Sequence, residues 1–246
     1  MSLKAVVILL SVLLGLASVW SHSRRGMGPL LALGLPLDLR ELGNAALGAA
    51  IGLFAIGATF LVAYTTRHVD VVAVGPPAPL VNDIVSFLAV PFVEELIFRS
   101  ALLGGLLVIL PPNHKWVAVT CSAVVFGTLH GLNEHATLLA VLGSTLGGLS
   151  YGIAFATTER IWLPFGLHFG WNYAIGPLFG FPISGGIPKR GTFIHQHSVG
   201  ASWFTGGEYG PEGGAVGMVG RVLVLALVLA WLVHHRRKVA KPERAV

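Results

Sequence analysis

The sequence predicts an all-α, polytopic membrane-spanning helical bundle of about seven spans, eight if one is missed, enclosing a polar cavity. Three observations predict it. Of 246 residues 54% are hydrophobic and 11% charged, with a mean hydropathy of +0.77, whereas soluble domains carry about 25% charged residues. Apolar runs near the ~20 residues that cross a hydrocarbon core recur almost from end to end, leaving no room for a separate globular unit, so residues 1–246 read as one domain. The run from Val81 to Leu110 nevertheless holds Glu94, Glu95 and Arg99. Each charge near the centre of a spanning helix costs roughly 2.5–3.5 kcal/mol, so such a cluster is the first place to look for chemistry.

The predicted spans are 3–20, 42–64, 82–110, 115–132, 136–157, 161–180 and 217–235. The first resembles a signal peptide in its Lys4 start and its apolar run from Ala5 to Val19. Ala17-Ser-Val-Trp-Ser21 lacks a small-x-small cleavage site, which favours a retained helix. The third is long enough to tilt steeply or to split near Gly104-Gly105, with Pro91 bending it further. The single cysteine, Cys121, lies in an apolar run and reads as a small core residue.

Residues 181–216 differ in kind. They are rich in Gly and Pro, carry Glu208 and Glu212, and interleave Phe193, Trp203, Phe204 and Tyr209. Aromatic residues of this sort favour the headgroup level, so the stretch reads as an interfacial loop, with Trp203, Glu208 and Glu212 as candidates for a lid over a cavity mouth.

The formal charge of +5 comes from basic loops and ends, and it marks membrane topology and not nucleic-acid binding. With seven spans, Arg24, Arg25, Arg40, Lys115, Arg160, Arg236, Arg237, Lys238, Lys241 and Arg244 share one side. Lys4, Arg67, Lys189, Arg190 and the span-edge Arg221 share the other. That imbalance puts the carboxyl terminus in the cytoplasm, and a prokaryotic plasma membrane is the expected location. The oligomeric state is left open.

Glu95 and Arg99 are spaced i, i+4 with the acid first, the favourable order for a helical ion pair. Glu94 lies about 100° round the helix, so one carboxylate is left pointing elsewhere. Phe126 and His130 on the fourth span, and His168 and Asn172 on the sixth, repeat the same spacing. Gly127, Gly166 and Gly170 allow these helices to approach closely. A buried carboxylate with a His can hold and deprotonate a water, while a second His and an Asn amide can stabilise an oxyanion. Those groups suffice to hydrolyse a peptide bond.

These residues resemble the CPBP, or Abi, intramembrane protease family, which includes the type II CAAX prenyl endopeptidases. Its EExxxR, FxxxH and HxxxN patterns read here as Glu94-Glu95-Leu-Ile-Phe-Arg99, Phe126-Gly-Thr-Leu-His130 and His168-Phe-Gly-Trp-Asn172, intact and in order. The likeness spans roughly residues 82–180, which it implies are a catalytic core. It implies Glu94 as general base, His130 as its partner on the attacking water, and His168 and Asn172 as the oxyanion-stabilising pair. Glu95, Arg99 and Phe126 orient the site, no cofactor is required, and the substrate is a hydrophobic or membrane-tethered peptide or protein, CAAX-like in one branch.

Three rivals stand beside this reading. A zinc protease could use the same Glu and His side chains, but there is no HExxH, and the decoys His130-Gly-Leu-Asn-Glu134-His135 and His195-Gln-His197 are poorly spaced. A proton or ion transporter would use intramembrane charges too, but the polar cluster is confined to the central spans. A non-catalytic membrane scaffold or immunity protein would not need all three patterns intact. Ser/His/Asp catalysis is disfavoured because Asp38, Asp70 and Asp83 sit in loops or at span ends.

Overall fold

In the computed structural model, which describes residues 2–82, 84–187 and 191–239, helices run back and forth between two ends of the molecule. They are α1 (Leu3–Ser23), α2 (Leu39–Thr65), α3 (Ile84–Glu95), α4 (Gly104–Ile109), α5 (Lys115–His130), α6 (Leu138–Thr158), α7 (Trp162–Tyr173) and α8 (Ala215–Val239). Side-chain oxygens of Ser2, Asp38 and Thr137 accept from the first-turn amides of Ala5, Glu41 and Ala140, which fixes where α1, α2 and α6 begin. Four helices, α1, α2, α6 and α8, are long and apolar enough to cross a membrane. Asp83, Lys189, Arg190, Lys241 and Arg244, and the side chains of Arg236, Arg237 and Lys238, lie outside what is described.

The fold is mostly helical but not all-α. Strand β1 (Val69–Val74) pairs antiparallel with β2 (Ile194–Ser198), from Val69 opposite Ser198 to Val74 opposite Ile194, with an irregularity between Val71 and Ala73. The Val-rich run of β1 favours a strand, yet six residues between long helices pass for a loop. Pairing also changes the reading of residues 181–216: part of that stretch is bolted to the chain following α2.

The third run does not split at Gly104-Gly105. Its irregularity comes earlier, as a π-helical stretch, Leu96–Leu103, after which Gly104 continues helical at φ −57°, ψ −43°. The wider turn buries Phe98, Arg99 and Ser100 in succession, which a regular α-helix with one inward stripe does not do. Such turns occur often at functional sites.

Helices α2 and α7 pack backbone against backbone. A Cβ on Gly48 would meet Leu163 O at 2.5 Å and one on Gly52 would meet Trp171 N at 2.5 Å, while Gly166 and Gly170 are seated directly on the carbonyls of Ala45 and Ala49. Small residues four apart on both helices allow this contact. It fixes α7, and with it His168 and Asn172, against the bundle. Cys121, expected inside, is exposed on α5.

Candidate active site

Four elements bring the polar groups together. Glu94 and Glu95 end α3, Arg99 follows in the π-helical turn, His130 is the last residue of α5, and His168 and Asn172 lie on α7. Glu95 is fully buried between two partners: its Oε2 lies 3.1 Å from Arg99 Nε, and its Oε1 accepts from His168 Nδ1 at 2.9 Å. Arg99 also donates from Nη1 to Ser122 Oγ at 3.0 Å, and its guanidinium lies over the Phe126 ring at 5.1 Å. The buried charges are thus paired, hydrogen-bonded and covered by an aromatic face, which offsets their desolvation.

Glu94 is placed differently. Its side chain is 29% exposed, against 0% for Glu95, and its Oε2 lies 3.6 Å from His168 Nε2. His168 therefore has one carboxylate at each ring nitrogen. With Nδ1–H given to Glu95, Nε2 is the atom turned toward Glu94. His130 is oriented by its own helix: Nδ1 bonds the Phe126 carbonyl at 2.9 Å, so Nδ1 carries the hydrogen and Nε2 is left as the acceptor. Phe126 is buried between the two imidazoles, with ring centroids 4.3 Å from His130 and 5.8 Å from His168.

Glu94, His130 and Asn172 line one cavity of about 510 Å³, together with Lys4, Asn133 and Glu134, and the turn Ile183–Gly186 forms another of its walls. A side branch of about 200 Å³ shares Lys4, Glu94, His130 and Asn133, and is otherwise lined by Ile8, Ile97, Phe98 and Leu129. The structure therefore gathers Glu94, His130, His168 and Asn172 from three helices at one place, with Glu95, Arg99 and Phe126 behind them. Among the described residues no group of three or more His, Cys, Asp or Glu side chains is arranged to hold a metal ion.

The three lid candidates part company. Trp203 is exposed beside Phe204, and Glu208 is exposed and paired with His135 at 3.0 Å. Glu212 is no lid: it is buried, receiving Arg221 Nη2 at 2.6 Å and Trp171 Nε1 at 2.8 Å on Oε1, and the amide and hydroxyl of Ser184 at 3.0 and 2.6 Å on Oε2. Burial alone would raise its pKa, but Arg221 and the Ser184 hydrogen bond, with help from His130 and Trp171, hold it below the usual carboxylate value. Tyr209 nearby is pushed up to about 12 by burial and by the Glu212 charge.

Sequence reasoning missed this second ion pair because Arg221 passed for a span-edge charge. It is buried in α8, and its Nη1 donates to Tyr151 Oη at 2.7 Å. Tyr151 in turn stacks on His168 at 5.0 Å. Also missed was the Ile183–Gly186 turn, whose central residues Ser184 and Gly185 have φ of +47° and +86°. Both central residues at positive φ make a type I′ geometry, and Gly at its second position was the available signal. The pentad Gly148-Leu-Ser-Tyr-Gly152 spells a nucleophile elbow but sits mid-helix, with Ser150 Oγ bonded back to Leu146 O, so it lacks the strand-to-helix turn that would expose the hydroxyl.

Fold and site together define a helical membrane protein with a carboxylate–imidazole cluster buried among its helices. Residues 76–174 match the family described as "Type II CAAX prenyl endopeptidase Rce1-like". All seven residues of the three motifs fall inside it. The chain is also 31% identical over 108 residues to the "Putative membrane peptidase YdiL" of Bacillus subtilis (strain 168). That similarity covers 44% of this chain and 39% of the relative, so the chain spans well under half of the relative it matches.

Proposed function

We propose that the protein is an intramembrane endopeptidase that hydrolyses a peptide bond of a hydrophobic or membrane-tethered peptide, using a water activated by Glu94. The observation that carries this reading is the division between the adjacent acids: Glu95 is buried, ion-paired with Arg99 and hydrogen-bonded by His168, while Glu94 reaches the cavity. A base must meet its proton within hydrogen-bond reach, and only Glu94 of the two can meet water.

In this scheme water lies between Glu94 and His130 Nε2. Glu94 takes its proton as the oxygen attacks the carbonyl carbon. The resulting oxyanion is received by the Asn172 amide and by the Nε2–H of a doubly protonated His168, whose Nδ1–H stays on Glu95. Donors of this kind are typically worth about 10²–10³ in rate each. The C–N bond then breaks as the proton held by Glu94 passes to the departing amine, so the two products are a carboxylic acid and an amine. Arg99 and Phe126 touch neither the water nor the peptide and act by fixing Glu95 and the two imidazoles.

The apolar branch lined by Ile8, Ile97, Phe98 and Leu129 suits an apolar group next to the bond that is cut. A CAAX-like carboxyl terminus is the narrower substrate that the family's description suggests. The segments Ile84–Ile109, Lys115–His130 and Trp162–Leu178 supply the three further crossings of a seven-span arrangement, with the carboxyl terminus in the cytoplasm of a prokaryotic cell. The test uses purified protein in detergent micelles and a pool of internally quenched apolar peptides. Wild type is expected to cleave, and Glu94→Gln to be folded and inactive. Cleavage by both variants at the same bond, or by neither, counts against the reading.

A further inference from the structure

The described loops of this molecule gather at two ends; the 110–115 connection lines one pocket with Ala156 and Glu159 and so lies beside the α6–α7 connection. At one end the 24–38 connection meets the α6–α7 connection, through Ile161 N to Gly34 O at 3.1 Å and Trp162 Nε1 to Pro36 O at 2.9 Å, and Arg40 meets His235 at 3.4 Å. At the other end β1 pairs with β2, Lys4 meets Asn133 at 3.1 Å, and His135 meets Glu208 at 3.0 Å. The cavity opens at this second end. It is walled there by Lys4, Asn133, Glu134 and the Ile183–Gly186 turn, and His130 sits on the last residue of α5 where that helix reaches the same end.

The basic residues are distributed unevenly between the two. Among the described residues Arg24, Arg25, Arg40, Lys115, Arg160, Arg236, Arg237 and Lys238 fall at the first end, against Lys4 and Arg67 at the second. Arg221, which the sequence had placed with the latter, is buried and neutralised by Glu212, so it carries no topological signal. Lys4 faces the cavity. Short loops rich in Lys and Arg stay on the cytoplasmic side of the membrane, and acidic residues weigh little in that bias.

We infer that the cavity opens on the non-cytoplasmic face, so that the peptide it receives is one exposed on that side, such as the outer flank of a membrane-anchored protein or a peptide after export. This rests on the peptidase reading only for what the cavity does, and not for where it opens. Substrates tethered to the cytoplasmic leaflet, lipidated cytosolic carboxyl termini among them, meet the basic end instead. The selection is geometric and needs no residue that reads the lipid.

Cysteine labelling tests the opening without any cleavage. In full-length Cys121→Ser protein expressed in bacterial spheroplasts, single cysteines are placed by Glu134→Cys at the cavity mouth and by Asn113→Cys at the basic end, both exposed positions. A membrane-impermeant maleimide is expected to label Glu134→Cys fully before lysis and Asn113→Cys only after it. The opposite pattern overturns the inference. An apolar peptide added outside intact spheroplasts supplies the second arm: cleavage is expected with wild type and lost with Glu94→Gln. Cleavage that appears only after lysis overturns the inference, whereas no cleavage even by purified protein overturns the peptidase reading and leaves the labelling result standing.

Discussion

Among the described residues are two buried carboxylate–arginine pairs, and they differ in what is left over. Around Glu212 nothing is: its two oxygens take four hydrogen bonds, from Arg221, Trp171 and both donors of Ser184. Around Glu95 and Arg99 the pairing is equally buried, but the preceding residue, Glu94, brings a second carboxylate to the same imidazole and shows it to a cavity. An ionisable group inside a membrane protein is expensive either way. The contrast teaches that expense alone does not mark chemistry: Glu212 welds α7, α8 and the cavity wall together, whereas the Glu95–Arg99 pair holds a frame within which Glu94 can meet water.

The largest effects expected are on stability, because removing one partner strands a buried charge. Glu95→Ala and Glu212→Ala should each cost about 3–5 kcal/mol, read from thermal unfolding in detergent micelles. A loss under about 1 kcal/mol for Glu212→Ala would break the comparison by showing that its network is not a weld. Next comes His130→Ala, expected to slow peptide cleavage about 10²-fold while leaving the unfolding midpoint close to wild type, as suits a group that only positions and polarises water.

Acid sharpens the comparison further. The Glu212 carboxyl is held below its ordinary value of 4.5 in the folded protein, so its contribution to stability is complete above that value and drains away as the pH falls through the folded-state pKa. Acid unfolding curves of wild type and Glu212→Gln should therefore converge below pH 4.5, the variant being the flatter. Curves that stay parallel would mean the carboxylate is not stabilised by folding. Smallest of all is Glu208→Ala, which breaks an exposed pair with His135. It should shift the unfolding midpoint by no more than about 1 °C.

How much of this could be read in the sequence follows from contrast and period. Charges stand out in an apolar run, and an i, i+4 spacing on a helix puts its ends on one face, so Glu94, His130, His168 and Asn172 were visible; Glu94, His130 and Asn172 line one cavity and His168 lies beside Glu94. What the spacing could not give was the π-helical turn that buries Phe98, Arg99 and Ser100 together, because a widened turn leaves no residue-type signature. Gly166 and Gly170 were legible as points of close approach, but their counterparts Gly48 and Gly52 lie more than a hundred residues away, and long-range pairing has no local signal. The β1–β2 ribbon was hidden for the same reason. Arg221 was misread because a helix-end basic residue usually faces water, and nothing near it in sequence announces that Glu212 folds back onto it.

The central claim is that the two adjacent acids have separate duties, and the most direct measurement compares Glu94→Gln with Glu95→Gln in one preparation, reading cleavage rate and unfolding midpoint together. The account predicts that Glu94→Gln loses about 10³-fold or more in rate with a near-native midpoint, the upper part of the range for a lost general base. Glu95→Gln should lose both rate and stability. Glu94→Gln cleaving at the wild-type rate would contradict it.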